Sequence, residues 1–203
     1  MVHHKTRFMS GDVVLRDIED RDVDALVKYW HQSPPDFLRS LGVDLSKLKT
    51  PEETRQRFLD SVPRAADVSR SRITLVVEYE RLLIAYANLN IRSVDEAYAH
   101  VHTLKKGLRA KAMAYLLFSA TIKAFFNEAP VNRIVFQTSP ENRDVNRLLQ
   151  RFGMSPTLLH LDEPDGMARP GLFNVYEIGR KEAQHLSRMP ARMMRNGSNE
   201  ALR

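Results

Sequence analysis

The chain has 203 residues, 43% of them hydrophobic, which suits a single domain with a complete hydrophobic core. It contains no cysteine, so disulfides, thiolate zinc sites and a thiol nucleophile are excluded. No apolar run approaches the roughly 20 residues of a membrane-spanning helix, and no hydrophobic signal region follows the first residues, so we expect a cytoplasmic protein with no membrane partner.

The net charge of +6 raises the question of a nucleic-acid partner. Residues 180–203 contain six basic and two acidic residues, so this segment carries +4 and the rest of the chain only about +2. Little apolar periodicity accompanies that charge, which predicts a basic, flexible tail. A basic tail can contact RNA, but no strand signature of basic and aromatic residues supports this, so RNA binding is the weaker alternative.

Hydrophobic periodicity and turn residues predict seven strands and four helices. In chain order these are a strand over 13–18, helices over 22–30 and 51–62, strands over 73–79, 82–91 and 96–104, a helix over 112–128, a strand over 132–138, a helix over 142–152, and strands over 157–161 and 171–179. Thr50, Pro51 and Glu53 provide an N-cap, an N1 proline and a capping box for the second helix. Glu80 and Arg81 join two β-rich runs, which predicts an antiparallel hairpin.

The strand predicted over 96–104 carries an unusual set of polar residues on one face. Strict alternation places Glu96, Tyr98, His100 and His102 on the same side. Either histidine alone is equally well explained as a polar residue of a half-buried strand, but the pair favours a functional site.

A basic loop follows this strand and leads directly into the helix predicted over 112–128. The loop contains four cations, which are Lys105, Lys106, Arg109 and Lys111. A helix N-terminus offers unpaired N–H donors and the positive end of the helix dipole, so a basic loop entering it predicts an anion site. A pyrophosphate group suits such a site, although an exposed basic loop is the simpler alternative.

Two motifs in this region resemble the signatures of GCN5-related N-acetyltransferases. Residues 109–114, Arg-Ala-Lys-Ala-Met-Ala, resemble the pyrophosphate-binding pattern Q/R-x-x-G-x-G/A, with Ala112 in the first glycine slot. Asn142 stands eleven residues before Gly153 and resembles the start of N-x-x-A-x-x-x-Y-x-K-x-G-F. Leu149 occupies the tyrosine slot of that second motif.

The resemblance implies an α/β (α+β) fold, with a mixed, mostly antiparallel sheet of about seven strands flanked by four helices. It covers residues 12–179, which leaves an N-terminal extension at 1–11 and the basic tail at 180–203. The implied co-substrate is acetyl-CoA, and no metal is expected because the histidines show no ligand spacing. A homodimer is left open.

The family's motifs suggest which residues bind the cofactor. The resemblance places Arg109, Ala110, Lys111, Ala112, Met113 and Ala114 at the pyrophosphate. Asn142, with Asn146 one helical turn later, is expected on the pantetheine or acceptor side, and Lys105 and Lys106 add steering charge. The backbone N–H near Thr103 or Leu104 is expected to polarise the thioester carbonyl.

The implied chemistry is direct attack of an amine on the thioester of acetyl-CoA. The amine must lose a proton, so His102 is predicted to act as a base that titrates near neutrality, with His100 farther down the same face. The general acid is unassigned, since Tyr98, Tyr115 and Tyr176 are each more simply explained as structural residues.

These observations predict an acetyl-CoA-dependent N-acetyltransferase that acts on a primary amine of a small molecule, peptide or protein. Residues 31–70 and 162–166 are expected to form the acceptor pocket, and their acidic residues suggest a cationic acceptor. The alternative is a catalytically silent protein of the same fold that binds CoA or a partner as a sensor or scaffold.

Overall fold

A computed structural model describes residues 1–8, 11–64, 70–104, 111–162 and 167–186, without the side chains of residues 111–116 and 158–162. The described elements are β1 (Val2–Phe8), β2 (Gly11–Asp17), α1 (Asp20–Gln32), α2 (Pro35–Ser40), a 3₁₀ turn (Leu45–Lys47), α3 (Pro51–Leu59), β3 (Arg72–Tyr79), β4 (Leu82–Ile91), β5 (Glu96–Thr103), α4 (Lys111–Glu128), β6 (Arg133–Thr138), α5 (Arg143–Arg151), β7 (Leu158–Asp162), β8 (Gly171–Gly179) and α6 (Arg180–Leu186).

The strands form one sheet in the order β1-β2-β3-β4-β5-β6-β8-β7. The predicted fold class, α/β with a mixed sheet flanked by helices, is confirmed. Within the described residues there are eight strands and six α-helices, against the seven and four predicted. The additional strand β1 lies in the expected N-terminal extension. Its side chains are mostly polar, so it carries no apolar signal and is held by pairing with β2.

The chain divides into two compact units. The first comprises residues 1–18, 63–134 and 178–203, and the second comprises residues 19–62 and 135–177. Strands β1 to β5 and helix α4 belong to the first unit, whereas α1, α2, α3, α5 and β7 belong to the second.

The core of the first unit lies between α4 and the antiparallel strands β1, β2 and β3. Val13 and Leu15 of β2, and Leu75 and Val77 of β3, lie at alternate positions, so each strand presents an apolar face to the core. Leu15, Leu75, Ile122 and Phe125 are fully buried there. This packing sets the position of β3. Strand β4 pairs antiparallel with β3, and β5 pairs antiparallel with β4.

Arg180 secures the C-terminal end of α4. Its Nη2 donates to the carbonyl oxygens of Ala129 and Val131, both at 3.0 Å, and its Nη1 donates to that of Phe126. Phe126 lies in the last turn of α4, whose carbonyl groups lack intrahelical partners, and Ala129 and Val131 follow the helix, so these charge-assisted bonds hold the helix end to the segment after it.

The predicted hairpin at Glu80-Arg81 is confirmed. Tyr79 pairs with Leu82, so the loop has two residues, and both have positive φ angles, 49° for Glu80 and 64° for Arg81. Two positive φ angles define a type I′ turn, whose twist matches that of the flanking strands.

The second unit contains the predicted capping box of α3. Thr50 Oγ1 accepts from the N–H of Glu53 at 3.2 Å, and the Glu53 carboxylate accepts from the N–H of Thr50 at 2.9 Å. Helices α1 and α3 pack together, and a hydrogen bond of 3.0 Å joins His31 Nε2 to Thr54 Oγ1. The two bonds between Thr50 and Glu53 confirm the capping box that the sequence predicts at the start of α3.

Candidate active site

Strands β4 and β5 of the first unit carry three cross-strand rows of polar side chains. In the register of the two strands, Tyr86 lies opposite His102, Asn88 opposite His100, and Asn90 opposite Tyr98. Residues two apart on a strand face the same side, so all six share one surface, called here the β4–β5 face. The predicted alternation along β5 therefore places both candidate catalytic histidines together.

His102 is stacked against a buried tyrosine. Its ring centroid lies 4.8 Å from that of Tyr86, and the two ring planes are 15° apart. Burial, with a smaller contribution from the charge of His100, lowers the pKa of His102 to about 3. The imidazole is therefore neutral at physiological pH. This corrects the expectation that His102 titrates near neutrality, because desolvation at this half-buried position disfavours the charged imidazolium.

His100 and Glu96 lie farther along the same face of β5. His100 is exposed, whereas Glu96 is half-buried and paired with Arg133, whose Nη2 lies 2.6 Å from Oε2. The Glu96 carboxylate is thus already neutralised by a cation. It is a poor candidate for a second base, because the Arg133 guanidinium already occupies Oε2.

Thr103 and Leu104 end the strand beside the predicted thioester position. The N–H of Leu104 donates to the carbonyl oxygen of Ile84 at 2.8 Å. This donor extends the pairing with β4, so it is not available to polarise a thioester carbonyl as expected. Thr103 is the last residue of β5 and lies opposite Ala85. Its role as a cofactor contact stays a prediction.

Most of the predicted pyrophosphate loop lies outside the described residues. Lys105, Lys106, Arg109 and Ala110 belong to the undescribed segment. Helix α4 begins at Lys111, so Lys111, Ala112, Met113 and Ala114 form its first turn, although their side chains are not described. Helix α4 thus includes residues 111–114 of the predicted motif, and the cofactor contacts of all these residues stay predictions.

Asn142 begins α5 in the second unit. Its Oδ1 accepts from the N–H of Val145 at 3.4 Å, so the side chain acts as the N-cap of the helix. The carbonyl oxygen of the residue accepts from the backbone N–H of Asn146 at 3.0 Å. Asn142 therefore has a local structural role, and its predicted contact with the cofactor must coexist with that role.

Asn146 is the centre of a buried hydrogen-bond network. Its Oδ1 accepts from Thr138 Oγ1 at 2.6 Å, Asn174 Nδ2 at 2.8 Å and Tyr176 Oη at 2.8 Å. Its Nδ2 donates to the carbonyl oxygens of Ser139 and Asn142, both at 2.8 Å. Both amide hydrogens are used, so the side chain has no donor left for the predicted cofactor contact.

The tyrosines considered as general acids differ in their surroundings. Tyr176 is fully buried and its hydroxyl donates to Asn146, which is a structural arrangement. Tyr98 lies on the β4–β5 face with the Arg92 guanidinium 5.8 Å from its ring centroid. The side chain of Tyr115 is outside the described part of the chain. Leu149, which fills the family's tyrosine slot, is buried.

The segment 31–70, expected to form part of the acceptor pocket, contacts residues 167–169, which directly follow the other expected segment, 162–166, most of which lies outside the described residues. The N–H of Asp44 donates to the carbonyl oxygen of Met167 at 2.7 Å, and the N–H of Arg169 donates to that of Gly42 at 2.9 Å. Hydrogen bonds from Ser46 lower the pKa of Asp44. The Asp44 carboxylate thus already accepts hydrogen bonds from Ser46. It does not support the predicted preference for a cationic acceptor.

Sequence reasoning did not identify the asparagines of the β4–β5 face or the partners of Asn146. Asn88 and Asn90 interrupt an otherwise apolar strand at an interval of two residues, and this signal was available in the sequence. No local pattern links Asn146 with Thr138, Asn174 and Tyr176, because these residues meet only through the fold. Within the described ranges, no cluster of three potential metal ligands occurs, and none of the described helices could cross a membrane.

Comparison with solved structures gives the same fold at low sequence identity. RimJ of Mycobacterium smegmatis in complex with CoA-disulfide is 17% identical, with 91% of each chain covered and a TM-score of 0.67. RimL, a ribosomal L7/L12 alpha-N-protein acetyltransferase in complex with coenzyme A, is 12% identical, with 87% of this chain and 98% of that chain covered and a TM-score of 0.67. The aminoglycoside acetyltransferase AAC(6')-Ib in complex with coenzyme A is 14% identical, with 85% and 98% covered and a TM-score of 0.64.

Comparison with curated proteins gives no match. The sequence does match the family model for the acetyltransferase (GNAT) domain over residues 12–155. That match spans both signature regions, the strand and helix around residues 96–128 and helix α5, and most of the sheet. The chain belongs to the acetyltransferase (GNAT) domain family.

Proposed function

We propose that the protein transfers an acetyl group from acetyl-CoA to a primary amine of a small molecule, peptide or protein. The observation that carries this proposal is the β4–β5 face. It contains two histidines of β5, the strand that precedes the proposed pyrophosphate loop. Several structures of the same fold contain coenzyme A, which supports the choice of co-substrate. A cytoplasmic location is part of the proposal.

In this proposal, residues 109–114 hold the pyrophosphate and Asn142 contacts the pantetheine arm or the acceptor. His102 accepts a hydrogen bond from the attacking amine through its neutral imidazole, and His100 connects the site to solvent. Because the pKa of His102 is lowered to about 3, His102 orients the amine but is too weak a base to deprotonate an ammonium ion efficiently. The acceptor must therefore reach the site largely as a free amine.

This requirement ranks the acceptors. An α-amino group has a pKa of about 7.7–8.0 and a lysine side chain about 10.4, so at pH 7 or below roughly 200 to 500 times more of the α-amine is free. RimL is described as an alpha-N-protein acetyltransferase and AAC(6')-Ib as an aminoglycoside acetyltransferase, so proteins of this fold differ in their acceptors. For this chain we propose that weakly basic amines react faster.

The test combines calorimetric titration with acetyl-CoA and an assay of CoA thiol release over a panel of amines. We expect binding of acetyl-CoA and turnover that rises with pH through the pKa of the acceptor, without a plateau between pH 6 and 7. Binding without turnover for every amine in the panel, including peptides and proteins, would instead support the sensor or scaffold. The buried Leu149 in the tyrosine slot is the observation that favours this second function.

A control variant separates binding from chemistry. Replacing His102→Gln preserves a polar side chain but removes the imidazole, so we expect a lower turnover number with an unchanged affinity for acetyl-CoA. If the affinity fell as much as the turnover, His102 would be part of the binding surface and the proposed role would be wrong.

A further inference from the structure

Asn88 and Asn90 are the polar side chains of β4 that face away from the core of the first unit. Both are half-buried, while their neighbours Ala87 and Leu89 point to the opposite side and are buried. Because both side chains are only half-buried, each of their polar atoms can be satisfied by a neighbouring side chain, by water or by a ligand.

The structural partners lie on β3 and satisfy only half of each amide. Thr74 Oγ1 donates to Asn88 Oδ1 at 2.7 Å, and Arg72 Nε donates to Asn90 Oδ1 at 2.8 Å. Arginine can only donate, so the oxygen of Asn90 must face β3. Each Nδ2 is then turned away from that donor. Among the described residues neither Nδ2 has a partner, and neither is sealed from solvent.

The two free donors have a defined spacing. Residues two apart on a strand are separated by roughly 6.6–6.8 Å. An extended peptide repeats at the same interval, so its carbonyl groups that face one side recur in step with these amides. Sugars and polyamines have no such repeat. The row beyond Asn88 is that of Tyr86 and His102, where the attacking amine is proposed to lie.

We propose that Asn88 and Asn90 form a subsite that binds the backbone carbonyl groups of an extended peptide acceptor, with the amino terminus of that peptide beside His102. The Nδ2 of Asn88 donates to a carbonyl of the first or second residue, and that of Asn90 to a carbonyl two residues farther on. The inference rests on the proposed function and narrows its acceptor to peptide or protein N-termini.

The experiment is a length series of acceptors without lysine. Alaninamide, dialanine amide and tetraalanine amide share the same α-amine, so differences in kcat/KM report the additional carbonyl groups. A neutral hydrogen bond contributes about 0.5–1.5 kcal/mol, so we expect kcat/KM to rise roughly 2- to 13-fold for each carbonyl engaged. A value independent of length would overturn the subsite.

Two variants assign the carbonyls. Asn88→Asp and Asn90→Asp keep the oxygen that faces β3 and replace the free donor with an acceptor. We expect Asn90→Asp to abolish the gain of the tetrapeptide and spare alaninamide, and Asn88→Asp to affect the dipeptide as well. The matched control is Asn127→Asp on the exposed surface of α4, which should change none of these values. Equal losses for all acceptors would contradict the assignment.

The outcome stays decisive if no acceptor is turned over, which would count against the proposed function. Binding of tetraalanine amide to the CoA-loaded protein can then be titrated directly. Weaker binding by Asn90→Asp than by the natural chain would support the peptide subsite in a protein without transferase activity. No binding, or equal binding by both chains, would overturn it.

Discussion

Asparagine is used in two different ways in the two units of this protein. In the first unit, Asn88 and Asn90 each use one amide oxygen within the sheet and keep a donor accessible. In the second unit, Asn146 takes part in five hydrogen bonds and is almost completely buried. The residue type is the same, but the unused hydrogen-bonding capacity differs.

This difference in unused hydrogen-bonding capacity distinguishes asparagines that can bind a ligand from those that only stabilise the fold. A buried polar group with every bond made stabilises the fold and has nothing to offer a ligand, whereas a half-buried group with one unused donor is stable only because water or a ligand can reach it. Asn146 was predicted to contact the cofactor because it lies one turn beyond Asn142. The hydrogen bonds in the structure instead make it a residue that ties α5 to β6 and β8.

The largest expected effect comes from breaking the network of the second unit. Asn146→Leu leaves the hydroxyl groups of Thr138 and Tyr176 without their acceptor inside the protein, and each buried unsatisfied group costs about 1–3 kcal/mol. We expect the free energy of unfolding in urea to fall by about 3 kcal/mol or more.

The matched variant in the first unit is Asn88→Leu. It removes only the bond from Thr74, so we expect a loss of about 1 kcal/mol in the free energy of unfolding, together with slower acetylation of peptides. If both leucine variants destabilised the chain equally, the contrast between the two asparagine environments would not hold.

The fold was predictable where the sequence carries periodic or local signals. The capping box at Thr50 and Glu53 and the hairpin at Glu80-Arg81 depend on residues that are neighbours in sequence, and both are confirmed. Strand β1 was missed because its polar residues lack apolar alternation, and its identity depends on pairing with β2.

The candidate site was predictable only in its outline. Alternation along β5 correctly placed His100 and His102 on one face, but the pKa of His102 depends on desolvation against Tyr86, which belongs to another strand. Likewise, the N–H of Leu104 donates to the carbonyl oxygen of Ile84 on another strand, which the sequence around Leu104 does not reveal. Such properties arise from contacts distant in sequence, so no local pattern reports them.

The next effect concerns stability at acidic pH. The pKa of His102 is about 3 in the folded protein, below its ordinary value of about 6.5. The unfolded chain therefore binds a proton that the folded chain excludes, so this contribution to stability is complete above pH 6.5 and is lost as the pH falls towards 3. Between pH 8 and pH 5 the loss amounts to about 2 kcal/mol.

The variant His102→Gln removes that titration. Urea unfolding at pH 8 and pH 5 should show a pH-dependent loss smaller by about 2 kcal/mol than in the natural chain. The control is Asn127→Gln at an exposed position of α4, which changes no titratable side chain, so the pH dependence should stay that of the natural chain. An unchanged pH dependence in His102→Gln would mean that His102 is solvated in the folded state.

A smaller effect tests whether Tyr176 belongs to structure or to chemistry. Tyr176→Phe removes one of three donors to Asn146 Oδ1 and leaves the buried ring in place. We expect a loss of about 1 kcal/mol in unfolding free energy and no change in kcat for a good acceptor. A large fall in kcat at unchanged stability would make Tyr176 the general acid after all.

The smallest expected effect on stability comes from the turn between β3 and β4, the strand that contains Asn88 and Asn90. Arg81 has a φ of 64°, a conformation that costs most residues energy but not glycine. Arg81→Gly should therefore stabilise the fold by about 0.5 kcal/mol, despite the greater freedom of glycine in the unfolded chain. Lys49→Gly, at an exposed loop position without a positive φ, should instead destabilise it slightly.

Both variants should leave the acetylation rates of the alanine peptides unchanged, because neither alters the β4–β5 face. If Arg81→Gly changed those rates, the register between β3 and β4 would control the amides of Asn88 and Asn90, and the subsite would depend on the turn as well as on the strands.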